Sequence, residues 1–132
     1  MSGRSCGSAL VLVYEHGRLV SAMSHEHDGG EAYMGPLIRR AVQYAKVQYE
    51  AGDIARILLA EEEMHRVKWD SPETYLKLRN PRHLYRIFVG YDEQSAKRTY
   101  LTESRHLGQT ERLCAADLAQ FINQCDARCR AG

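Results

Sequence analysis

The stretch Ala9-Leu10-Val11-Leu12-Val13-Tyr14-Glu15-His16-Gly17-Arg18-Leu19-Val20-Ser21-Ala22-Met23-Ser24 decides how this chain folds. Two apolar runs flank a short polar turn, and the turn holds a glycine that accepts a positive φ. The stretch reads as a β-hairpin. It delivers the chain to His25-Glu26-His27-Asp28-Gly29-Gly30, two imidazoles and two carboxylates followed by a glycine pair.

Beyond the hairpin the periodicity changes. Gly35-Pro36 opens the first predicted helix, because proline lacks only an N–H that has no partner at the first helical position. Leu37, Ile38, Ala41, Val42, Ala45 and Tyr49 then recur at spacings of three and four, one apolar helical face. Gly52 ends this helix, and Asp53 caps a second, from Ile54 to about Arg66. Residues 54–60 also fit a strand, but Glu61-Glu62-Glu63 favours helix. Ser71-Pro72-Glu73 starts a third helix, which stops before Pro81. Leu84–Tyr91 and Lys97–Glu103 form a second hairpin, and a final helix follows Gly108-Gln109-Thr110 and runs to about Cys129. The order ββ-ααα-ββ-α implies an α+β fold: one antiparallel sheet from two hairpins, with helices packed on one face. Residues 1–8 read as a flexible N-terminus and 9–132 as a single α+β domain.

The composition, 44% hydrophobic and 27% charged, is that of an ordinary globular chain and excludes a disordered or fibrous one. A net charge of +1 gives no long-range field toward nucleic acid or membrane. Residues 1–65 hold six basic against nine acidic residues, whereas 66–112 hold ten against six. No segment reaches the roughly 18 apolar residues of a membrane span, and the N-terminal apolar run is too short for a signal peptide. A soluble cytoplasmic protein with reduced thiols is expected.

Four clusters carry candidate chemistry. In a continuing strand, His25 and His27 would share a face, with Glu26 and Asp28 opposite. His16, or Glu61 and His65, could then complete a ligand set, although no full metal motif is present. On a continuous second helix, Glu61 and His65 would lie four apart on one side, able to act as a base or a ligand pair or simply to face water. In the second hairpin, Arg86 and Phe88 share a face, and Arg98 and Tyr100 join them if the register allows. Basic and aromatic residues interleaved in this way can stack bases and neutralise phosphates, but also arise where a helix covers a sheet. Cys114, Cys125 and Cys129 fall on one stripe with Leu118, Phe121 and Ile122 and read as core packing.

The segment His25, Asp28, Gly29, Gly30 resembles the hairpin end of a loose group of small bacterial and phage proteins that close on a His-Trp-Asn/Asp-Gly motif. The tryptophan is absent here, with Glu26 or His27 in its place. The resemblance covers about thirty residues and implies at most an accessory protein of mobile-element type, with no activity attached.

No nucleophile elbow, dinucleotide fingerprint or phosphate loop occurs, so the reading leans away from an enzyme. No cofactor is implied. The first reading is a non-enzymatic binding or regulatory module that takes a protein or small ligand at His25, His27, Asp28, Gly29 and Gly30 with Glu61 and His65. The alternatives are a metal-dependent hydrolase built on His25, His27 and Asp28, and a nucleic-acid binder using Arg86, Phe88, Arg98 and Tyr100. A homodimer through an open sheet edge is compatible with all three.

Overall fold

A computed structural model describes residues 7–48, 51–68, 71–78, 80–95, 97–108 and 110–123. Strand β1 (Ala9–Glu15) lies at its centre. Its residues 9–14 are buried in unbroken succession, so apolar side chains point to both faces and both faces need cover. Strand β2 (Arg18–His25) returns antiparallel to it through a two-residue turn. His16 (φ 52°) and Gly17 (φ 81°) both take the left-handed conformation, which matches the twist of the paired strands. A register shift beside Val13 and Tyr14 leaves Val20 without an opposite residue.

Helix α1 (Glu31–Gln48) begins five residues before the predicted Gly35-Pro36 start. The Gly30 carbonyl accepts the amides of Tyr33 (3.1 Å) and Met34 (2.9 Å), so Gly30 caps the helix and Pro36 lies inside it. Of the predicted apolar face, Leu37, Ile38, Ala41 and Val42 are buried; Tyr49 and the Ala45 side chain lie outside what the structure describes. Helix α2 (Ala51–Leu59) stops well short of Arg66, and residues Met64–Arg66 form a third strand, β3. Continuing the stripe of Ile54 and Leu58 would carry Glu61, Glu62 and His65 onto the apolar face. Instead the glutamates turn the chain, and Met64 is buried opposite His25.

Helix α3 (Pro72–Leu78) is capped as its sequence predicts, with Ser71 Oγ accepting the Thr74 amide at 3.2 Å. Strands β4 (His83–Asp92) and β5 (Lys97–His106) make the second hairpin, and α4 (Ala115–Asn123) follows. Cys114 is exposed at the start of α4 and is not part of its core stripe; Cys6, Cys125 and Cys129 lie outside the described residues.

The five strands form one sheet in the order β3-β2-β1-β4-β5. It is mixed, not purely antiparallel, because β1 and β4 run parallel. The chain passes through α1, α2, β3 and α3 before β4, and so enters β4 from the end where β1 begins. Ser8 fixes this entry by accepting the amides of Arg82 (2.9 Å) and His83 (3.1 Å) through its carbonyl.

The helices cover both faces rather than one. Ala9, Val11, Val13, Met23, Ile87 and Val89 pack under α1 and α2. Leu10, Leu12, Tyr14, Leu84 and Phe88 pack under α3 and α4. Tyr14 stacks on Phe88 at 4.9 Å and donates its hydroxyl to the Ile122 carbonyl at 2.6 Å, which ties α4 to the central strand. Among the described residues no helix is long and apolar enough to cross a membrane.

Candidate functional site

Strand β2 ends at His25, the residue that anchors the loop behind it. His25 is 2% exposed and lies on the α1/α2 face of the sheet, opposite Ala9 on one side and Met64 on the other. Its Nδ1 accepts the Asp28 amide at 3.2 Å, so the neutral ring carries its hydrogen on Nε2. That Nε2 is buried without a hydrogen-bond partner. Burial holds the imidazole below its ordinary value of 6.5, since the charged ring would be poorly solvated. The carboxylates of Glu63, Asp28 and Glu61 oppose that shift, and His27 adds to it.

The glycines that follow hold the loop down. Gly29 donates its amide to the Gly7 carbonyl at 2.9 Å, and its own carbonyl accepts the Tyr85 hydroxyl at 2.5 Å. A Cβ at Gly29 would lie 2.7 Å from the Ala9 Cβ and 2.8 Å from the Ala9 nitrogen, so only glycine fits without a shift. Both glycines therefore build the loop, Gly29 by its close packing on Ala9 and Gly30 by capping α1.

The turn after α2 meets this loop from outside. The Tyr33 hydroxyl, on the first turn of α1, donates to Glu61 Oε1 at 2.9 Å, and its ring stands 4.9 Å from the His25 ring. The bond to Glu61 pushes the Tyr33 hydroxyl above its usual pKa, with burial adding to it. His27, outside the strand and exposed, reaches Glu63 Oε2 at 3.2 Å. The structure thus brings His25, Asp28 and Glu61 together and joins His27 through Glu63. It does not bring in His65, which stands opposite Ser24 and so faces the other side of the sheet.

Among the described residues no three His, Cys, Asp or Glu side chains come close enough to hold one metal ion. The His25/His27 pair is split because the strand ends between them: one ring is buried, the other solvated. Tyr33 lies outside the candidates read from sequence, and Glu63 enters them only as part of the Glu61-Glu62-Glu63 run, with no role of its own. A start at Gly35-Pro36 left Tyr33 in a loop, and reading residues 61–63 as helix hid the turn. Gly30, an acceptable capping residue, was the available signal for the earlier start.

The second hairpin does not assemble its four residues on one face either. Arg86 pairs with Glu103 in the ladder and in a 2.5 Å ion pair, whereas Tyr100 pairs with Val89 and Arg98 with Tyr91. Tyr100 therefore occupies the α1/α2 side. Phe88 is 1% exposed beneath α4. Arg86 donates to the Phe121 carbonyl at 3.2 Å and stands over the Phe121 ring at 4.4 Å, fastening α4 to the sheet.

Comparisons of the chain with family models, with curated proteins and with solved structures give no match.

The chemistry offered to solvent is that of the outer groups. His25 is too enclosed to exchange a proton with a bound substrate. Glu61 and Glu63 from the turn after α2, with Asp28 from the 25–28 loop, place carboxylates beside His27 and Tyr33. Such an arrangement suits a cationic group.

Proposed function

We propose that this protein is a non-enzymatic binding module that recognises a partner through the junction of the 25–28 loop with the 61–63 turn. The observation that carries the reading is the pair of bridges between these turns, Tyr33–Glu61 at 2.9 Å and His27–Glu63 at 3.2 Å, built over a buried His25. Groups far apart in the chain are held in one place at low cost in ordering, the general condition for a preformed contact surface. The carboxylates there select a partner bearing arginine or lysine, a basic peptide segment or a small cationic ligand. An accessory role in a mobile element rests on the resemblance of the 25–30 segment alone.

Calorimetric titration with a short arginine-rich peptide tests the reading. Saturable, salt-sensitive binding is expected, weakened about tenfold in a Glu61→Gln/Glu63→Gln variant. Equal binding by the variant, or none by the native chain, would contradict it.

A further inference from the structure

On the face of the sheet away from His25, a cavity of about 210 Å³ opens between the β3 edge and α3. An engineered cavity of roughly 150 Å³ in another protein is enough to hold benzene, so this one has room for more than a lone inorganic ion. Ser24 and His65, directly opposite in the β2–β3 ladder, contribute from the sheet side. Tyr75, buried, and Leu78, 77% exposed, supply the apolar wall from α3. Lys68, exposed, stands at the rim; Arg66, opposite Met23 in the ladder, belongs to the other face, and among the described residues no acid lines the cavity.

One atom inside is unexplained by the fold. Ser24 is 1% exposed, and its Oγ has no hydrogen-bond partner. A hydroxyl buried without a partner is unfavourable, and alanine would fill the same place without that cost. The Ser24 residue lines a cavity that presents Lys68 at its mouth and apolar groups on its wall.

We propose that this cavity binds a small organic anion, an apolar or aromatic body bearing one carboxylate or phosphate. The body lies against Tyr75 and Leu78. The anionic head accepts from the Ser24 hydroxyl and from Lys68, with the His65 imidazole as a further donor. The site shares no residue with the 25–28 junction, and either can fail without the other.

The test is a titration of the full chain with phenyl phosphate, benzoate, inorganic phosphate and benzyl alcohol, followed by calorimetry or amide chemical shifts. Phenyl phosphate or benzoate is expected to bind saturably, about tenfold or more tighter than inorganic phosphate or the neutral alcohol. Lys68→Glu, at an exposed position that leaves the core intact, is expected to weaken that binding about tenfold. Ser24→Ala is expected to raise the Tm of the free protein and yet weaken the anion several-fold. A hydroxyl with a purely structural role would leave the affinity unchanged. No saturable binding of either aromatic anion overturns the proposal. So does equal affinity for inorganic phosphate, or affinity that survives the charge reversal.

Discussion

His25 is buried, neutral and hydrogen-bonded through the one nitrogen that protonation would occupy. Charging Nδ1 would break its bond to the Asp28 amide and place a cation in a poorly solvated site. Because the folded-state pKa lies below 6.5, the unfolded chain binds this proton more readily. The contribution of His25 to stability is therefore complete above about pH 6.5 and declines as the pH falls through and below that value. Urea unfolding between pH 8 and 5 checks this: the native chain should lose stability more steeply on acidification than His25→Asn, and equal slopes would refute it. Gly29 gives a second expectation at this scale. Gly29→Ala forces a methyl against Ala9 and should cost about 2 kcal/mol or more in the same assay. A cost near zero would mean that the loop does not pack as described. The sequence displays the chemistry of residues 25–28 openly. It does not display the role of Gly29, since close approach to Ser8 and Ala9 exists only after the chain has folded.

The elements follow local rules where neighbours do not override them. The hairpin turn, the Ser71 cap and the α1 stripe were legible because each rests on residues adjacent in sequence or one helical turn apart. The ends of α1 and α2 were not. Proline suggested a start at Gly35-Pro36, yet Gly30 caps the helix and Pro36 is carried in its interior, where its ring removes a hydrogen bond to the Ala32 carbonyl. Pro36→Ala should therefore stabilise the protein by about 1 kcal/mol or more, read as a higher urea midpoint. A lower midpoint would place the helix start back at Gly35. Three successive glutamates suggested a longer α2, but the strand pairing of Met64 with His25 decides the boundary. Arg86 shows the same precedence in the second hairpin. Its neighbours in the ladder and in α4, not its charge, set its role. Arg86→Ala should cost about 2–3 kcal/mol of stability through the lost Glu103 and Phe121 contacts. A surface nucleic-acid contact would instead leave stability unchanged.

At the scale of the molecule, the unbroken apolar run of residues 9–14 carried more information than the hairpin pattern. A strand buried on both faces needs helices on both sides and suits a central position. The parallel partnership with β4 had no local signature, because it depends on where α3 leaves the chain. Amide exchange should be slowest in β1, flanked by β2 and β4, and faster in β5 at the sheet edge. The functional reading belongs to this scale too, since its junction exists only when α1, the end of β2 and the turn after α2 meet. Its most direct test is a ¹⁵N–¹H chemical-shift titration of the full chain with a short arginine-rich peptide. The expected result is a contiguous set of shifts at Glu26, His27, Asp28, Tyr33 and residues 61–63, lost in Glu61→Gln/Glu63→Gln. Shifts confined to other surfaces, or unchanged by that substitution, would contradict the account.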